Sequence, residues 1–172
     1  MDVVICGGGV IGASIAYFLS CRGVKPVVIE RAGLACAASG KSGGFLARDW
    51  CDGSPLAPLG RRSFALHAEL ADSLGNDWGY RGMTTYGGTM GEFRTGRRTG
   101  PDWVSPEVAI ESQLGSTRTT AQVQPAAFTA GMMRKATAHG AELRIGGPRD
   151  LRCADDEGFG KGFGQGVHSR LA

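Results

Sequence analysis

Four glycines among the first twelve residues, with an acid at position 30, constrain the fold of this chain more tightly than any other part of it. Val4-Ile5-Cys6 is a short apolar run, Gly7-Gly8-Gly9-Val10-Ile11-Gly12 follows, and Val27-Val28-Ile29-Glu30 comes after a stretch of helical periodicity. That order predicts a strand, a glycine turn, a helix from about Val10 to Arg22, and a second strand parallel to the first. Gly7 lets the chain turn sharply off the first strand, Gly9 leaves the backbone open to close approach, and Gly12 lets the helix lie against the strand. Ala13 and Ala16 keep the sheet side of the helix thin, while Ile15, Phe18 and Leu19 are expected to supply its apolar face. Gly23 stops the helix and Arg22 suits its negative end. Pro26 leads into an unbroken apolar run suited to a strand buried on both faces.

A turn of this kind aims unpaired amides and the positive end of a helix at one point, which favours a phosphate. Glu30 stands eighteen positions after Gly12, where a carboxylate accepts hydrogen bonds from both hydroxyls of a ribose and repels a 2′-phosphate. Strand, turn, helix, strand and acid together form the fingerprint of a site for the adenosine diphosphate half of a dinucleotide, with NADP disfavoured.

Length and composition narrow the alternatives. A chain of 172 residues, 42% hydrophobic and 20% charged, is expected to be globular, with one domain or one and part of another. The net charge is only +3, and Arg61-Arg62 and Arg97-Arg98 are isolated pairs without interleaved aromatics, so the sequence argues against nucleic acid as a partner. No apolar run is long enough to span a membrane. The first strand begins at Asp2, which leaves no room for a signal or transit peptide and predicts a cytoplasmic protein. Five cysteines without a CxxC pair read as free thiols in a reducing compartment, and with His67, His139 and His168 scattered no zinc site is expected.

Along the chain, Ala32 to Gly44 is a loop of small residues, too long and glycine-rich for an ordinary connection, and suited to close approach of a flat ligand. A helix is expected from Pro55 to Leu74, capped by Ser54, with Leu56, Leu59, Phe64, Leu66, Leu70 and Leu74 as its apolar face and His67 on its surface. Residues 80–124 read as β-rich and irregular, with strands at Met83 to Met90 and Thr119 to Val123 and an exposed loop from Arg94 to Pro106. Pro125 opens a helix from Ala126 to about His139 that buries Phe128, Met132 and Ala136, and Ala141 to Ile145 alternates as a strand. Glycine at every second position from Gly158 to Gly166 permits no aliphatic face, so the tail is expected to be poorly ordered.

Three motifs together resemble the FAD-dependent D-amino-acid oxidase superfamily, which includes glycine and sarcosine oxidases. They are Gly7-x-Gly9-x-x-Gly12-x-x-x-Ala16 with Gly23 and Glu30; Ala38-Ser39-Gly40-Lys41-Ser42-Gly43-Gly44; and Val123-Gln124-Pro125 with the helix to Gly140 and Ala141-Glu142-Leu143. Cys36 to Lys41 and Asp49-Trp50-Cys51-Asp52 are most similar to a eukaryotic oxidoreductase branch found in plants and fungi. The resemblance covers about residues 2–150. It implies an α/β fold, a Rossmann-like FAD-binding βαβ unit with part of a β-rich substrate domain. The implied division is a cofactor part at 1–78, a partial substrate domain at 79–124, a return to the cofactor part at 125–152 and a glycine-rich tail at 153–172.

The resemblance also implies roles. Gly7, Gly9 and Gly12, with the amides of Val10 and Ile11, would hold the pyrophosphate, and Glu30 the adenosine ribose, with Arg31 near the adenine. Ser39, Gly40, Lys41, Ser42, Gly43 and Gly44 would wrap the pyrophosphate and ribityl chain, and the backbone near Gly44 and Phe45 would approach the flavin. Lys41 would place positive charge near the flavin. No histidine stands in this loop, so noncovalent FAD is expected, with a small amine or amino acid as substrate and no catalytic acid or base identified. Family members are roughly twice this length, and their closing strand with an Ala-x-Gly turn has no counterpart here, which leads to the expectation of a truncated chain, inactive alone, with apolar surface uncovered. Two other readings stay open: an NAD-dependent dehydrogenase, which Glu30 permits, and a non-catalytic nucleotide-binding or trafficking-associated protein.

Overall fold

The computed structural model describes residues 3–91, 101–105 and 107–146. The expected glycine-rich tail lies outside them, as does most of the expected loop from Arg94 to Pro106. Strand β1 (Val4–Cys6) leads through the glycine turn into helix α1 (Val10–Ser20), and β2 (Val27–Glu30) returns parallel to β1, pairing Val4 with Val27 and Cys6 with Ile29. Then follow α2 (Ala38–Lys41), β3 (Phe45–Ala47), α3 (Ala57–Leu74), β4 (Arg81–Gly82), β5 (Thr85–Met90), β6 (Val108–Gly115), β7 (Thr120–Gln122), α4 (Pro125–Ala138) and β8 (Glu142–Ile145).

Strand β8 comes back to pair in parallel with the free side of β2, from Val27 opposite Glu142 to Glu30 opposite Ile145. The sheet order is therefore β1-β2-β8, with the apolar β2 in the middle, as an unbroken Val-Val-Ile run requires. Among the described residues β1 pairs on one side only. A second sheet, β3-β7-β4, is antiparallel, and β5 and β6 form a separate antiparallel pair with register shifts at Thr85/Tyr86 and Gly87/Gly88.

Helix α1 corrects one expectation. Gly12, Ala13, Ala16, Tyr17 and Ser20 are its buried residues, whereas Ile15 is 45% exposed and Ile11 74% exposed. Helix α4 packs against α1, and the core joins Ala13, Ala16 and Tyr17 to Met132, Met133 and Ala136. Small residues let two helices approach closely, so the thin side of α1 is the packed side. The helix stops at Ser20, before the predicted Arg22. Arg22 still serves the helix end, donating to the carbonyl of Phe18 at 2.7 Å.

Helix α3 meets the hydrophobic core through its carboxyl half. Leu70 and Ala71 are buried and Leu66 and Leu74 pack on the core, but Leu56 and Leu59 are exposed because the amino-terminal turns run beyond the core. Ser54 does not cap the helix; its hydroxyl accepts from Leu56 N at 3.2 Å, before the first turn. Helix α4 follows the reading closely. Pro125 lies in its first turn, the Gln124 side chain accepts from Ala127 N, and Phe128, Met132 and Ala136 are buried.

Trp78 fixes the join between α3, β4 and α4. It is 1% exposed and meets Phe128 edge-on at 5.3 Å. A methyl on Gly131 would lie 2.8 Å from Trp78 Cε3, so only glycine lets α4 lie against that ring. Burying a side chain of this size contributes about 3 kcal/mol.

His67 is not the surface residue that periodicity suggested. It is half-buried, its ring lies 4.7 Å from that of Phe128, and its Nδ1 is buried without a hydrogen-bond partner. Burial holds its pKa below the ordinary 6.5. The unfolded chain then takes up a proton that the folded chain resists, so stability falls as pH drops through the unfolded value. His67→Phe is expected to raise stability by about 1 kcal/mol at neutral pH and to remove that part of the acid slope, which urea unfolding at several pH values measures.

Candidate functional site

The glycine turn is built by main-chain geometry. Gly7 takes a left-handed conformation, φ +105°, and its amide donates to Ile29 O at 2.7 Å, tying the turn to β2. The first intrahelical bond runs from Ala13 N to Gly9 O at 2.9 Å. The amides of Val10, Ile11 and Gly12 therefore have no partner within the helix. A Cβ on Gly12 would sit 2.0 Å from Gly7 O, so the turn closes only around a bare glycine.

Ser39, in α2 within the small-residue loop, meets this helix end. Its Oγ accepts from Val10 N at 2.9 Å, and a Cβ on Gly9 would lie 2.9 Å from the same oxygen. The open space expected in front of Gly9 thus has a hydroxyl at its border. A serine there satisfies one orphan amide and can also donate to an anion.

Glu30 ends β2 and turns back over the glycines. Its Oε2 accepts from Gly8 N at 2.7 Å, and its Oε1 accepts from Ala32 N at 2.9 Å. These amides, Ala32 first and Gly8 second, hold its carboxyl below the usual carboxylate range. Each carboxylate oxygen accepts more than one bond, so the latch leaves acceptor capacity for a hydroxyl. Ala35 N donates to Gly8 O at 3.1 Å, which clamps the following loop onto the same turn.

A cavity of about 390 Å³ opens between these parts, and Gly7, Gly9, Glu30, Arg31 and Ser39 border it. The remaining predicted residues divide differently. Gly40 and Gly44 are needed for packing: a Cβ on Gly40 would lie 2.0 Å from Ala35 O, and one on Gly44 2.0 Å from Val123 O. Gly44 also has φ +70°, and its carbonyl accepts from Val123 N. Gly43 borders a second cavity of about 440 Å³ with Trp78, Arg81, Gln122 and Gln124. Lys41 and Ser42 are exposed, and Phe45 packs against Trp50 with ring centres 5.0 Å apart.

Sequence reasoning missed the residues that hold Glu30. Gly8 was legible only as the middle of the triplet, and Ala32 carried no side-chain signal because its amide does the binding. Cys6 and Cys36 also border the first cavity, and nothing in their spacing marks that. Among the described residues no group of three or more His, Cys, Asp or Glu side chains could hold a metal ion, and no helix is long and apolar enough to cross a membrane.

The family model for FAD dependent oxidoreductases (DAO) matches residues 2–166. The chain belongs to that family. It is 34% identical over 139 residues to the Schizosaccharomyces pombe protein named "Putative oxidoreductase C1F5.03c", covering 74% of this chain and 36% of that one. It is 39% identical over 75 residues to glycine oxidase of Geobacillus kaustophilus, covering 42% of this chain and 20% of the enzyme. The crystal structure of glycine oxidase from Bacillus cereus superposes with a TM-score of 0.65 at 27% identity, over 84% of this chain and 47% of that one. The chain thus spans about a third of the yeast relative's length and about half of that glycine oxidase structure.

The α/β fold agrees with the FAD-binding fold of these neighbours, and the family's dependence on FAD makes FAD the cofactor to test against the site. The donor set suits the adenosine diphosphate half. Gly9, at the amino-terminal end of α1, and Ser39 border the cavity, and Glu30, its carboxyl held below the usual range, stands in the wall.

Proposed function

We propose that this chain binds FAD noncovalently and serves as the cofactor-holding part of an amine or amino-acid oxidase. The observation that carries the reading is the meeting of Ser39 and Glu30 at one cavity, each bonded to an amide of the glycine turn. On this reading the amides of Val10, Ile11 and Gly12 and the Ser39 hydroxyl hold the pyrophosphate, with Gly7 and Gly9 allowing its approach. Glu30 accepts from the adenosine ribose while its bonds to Gly8 and Ala32 keep it ionised and aimed. Arg31 lies beside the adenine. Residues 40–45 wrap the rest of the cofactor, Lys41 supplying positive charge and Gly44 and Phe45 main chain. The noncovalent link is supported by the absence of histidine from that loop.

FAD, when bound, accepts a hydride from the carbon of a C–N bond and is restored by dioxygen. The names of the neighbours, glycine oxidase among them, support a small amine or amino acid as the donor. The cofactor part then comprises residues 1–78 and 125–152, which β8 joins across β2, and residues 79–124 belong to the substrate side. Free, exposed Cys6, Cys21, Cys36 and Cys51 support a reducing compartment such as the cytoplasm.

The test is to load the full chain with FAD and add glycine, sarcosine and a panel of D- and L-amino acids without oxygen. Loss of the flavin's visible absorbance on adding one of them, and its return in air, is the expected result. Bound flavin that no amine bleaches would make the chain a cofactor-binding protein without this chemistry. Retention of NAD in preference to FAD would make it a dehydrogenase.

A further inference from the structure

Two cysteines stand in the wall of the cavity that the cofactor reading uses. Cys6 ends β1 directly before Gly7, and Cys36 follows the clamped Ala35; both are exposed, and both border the cavity with Arg31. Their positions are fixed by main chain. Gly7 N is held by Ile29 O, Ala35 N by Gly8 O, and Cys36 N donates to Gly33 O at 3.3 Å. Cys21 and Cys51 are equally free and exposed, but neither borders this cavity.

We propose that Cys6 and Cys36 form a thiol modification site inside the dinucleotide cavity, which takes small anionic disulfides such as glutathione disulfide and so opposes cofactor binding. The inference rests on the cofactor reading above. Arg31 and the positive end of α1 favour an anionic reagent at this cavity just as they favour a phosphate. The thiolate attacks one sulfur of the disulfide, forming a new S–S bond to the protein and breaking the old one. The protein thiol is oxidised, half of the reagent leaves as the reduced thiol, and that thiol takes up the proton the cysteine gave up. The attached tripeptide then occupies space that a dinucleotide needs. An excess of free thiol reverses the step.

The experiment treats the reduced full chain with glutathione disulfide, with and without ADP or FAD, and reads each cysteine by peptide mass. Nucleotide is expected to slow modification of Cys6 and Cys36 at least tenfold and to leave Cys21 and Cys51 unchanged. The modified chain is expected to bind FAD at least tenfold more weakly, with recovery in dithiothreitol. A Cys6→Ser/Cys36→Ser variant should bind FAD equally before and after disulfide treatment. The protection measurement needs no variant, so misfolding of the double mutant does not stand in its way. If FAD binds, as its fluorescence reports, yet Cys6 and Cys36 react at the same rate, the inference is overturned and the cofactor reading stands. If the reduced chain binds neither FAD nor ADP, the cofactor reading fails and this inference falls with it.

Discussion

Gly12→Ala is expected to abolish FAD retention and to lower stability by about 3 kcal/mol. The added methyl would lie 2.0 Å from Gly7 O and 3.3 Å from Ile5 Cγ2. Neither neighbour can swing aside, because Gly7 is bonded to Ile29 and Ile5 pairs with Val28 within the sheet. Relief requires the start of α1 to move off β1, which separates the helix amides from Ser39 and Glu30. Gly23→Ala is the control. It has a positive φ, +80°, which Gly12 inside α1 does not, and nothing lies within 4 Å of its added carbon. Its cost is the backbone term alone, about 1 kcal/mol, with FAD affinity unchanged. Urea unfolding and flavin titration of both variants separate a steric effect at the turn from a general loss of glycine flexibility. Equal behaviour of the two would contradict this account of the turn.

Glu30→Gln carries the second large effect. Gln keeps the size but loses the charge, and its amide nitrogen would face a main-chain N–H that now finds an oxygen. Charge-assisted hydrogen bonds of this kind contribute enough that FAD affinity is expected to fall at least about tenfold. The pH dependence has a definite sign. The folded pKa of Glu30 is depressed, so its contribution is complete above the unfolded carboxylate value and is lost as pH falls through the lower, folded one. His67 acts earlier on the way to acid, near its unfolded value of 6.5. The wild-type chain should therefore lose stability in two stages on acidification. His67→Phe removes the first and Glu30→Gln the second, and urea midpoints across the acid range would show both.

The glycine turn was legible because its constraints are local. Gly7, Gly12, the apolar β2 and Glu30 each answer a requirement that acts within about thirty residues. Helix α4 was legible for the same reason, with Pro125 at its start, Gly140 past its end and Phe128, Met132 and Ala136 at one face. What the sequence hid depends on distant partners. Ile15 and Leu59 look like core residues by period, but which side of a helix is covered is decided by α4 and by where the core ends. His67 looks like a surface residue until Phe128, sixty-one positions later, is placed against it. Strand β6 alternates only weakly and is defined by its pairing with β5.

The small-residue loop shows the same limit within the site. Composition marked Ala32 to Gly44 as a place of close approach. It did not separate Ser39, which reaches the Val10 amide, from Gly40 and Gly44, whose missing side chains make room for the carbonyls of Ala35 and Val123. Lys41 and Ser42 share the motif yet lie exposed. Residue type gave the region, and main-chain contacts divided its members.

Equilibrium dialysis of the folded full chain against FAD, with ADP as competitor, bears most directly on the central claim. One equivalent of FAD bound per chain, displaced by ADP, is the predicted result, since the cavity beside Gly7, Ser39 and Glu30 would be filled by the half that the two nucleotides share. A folded chain that takes up no FAD, or one whose FAD an excess of ADP leaves in place, would contradict it.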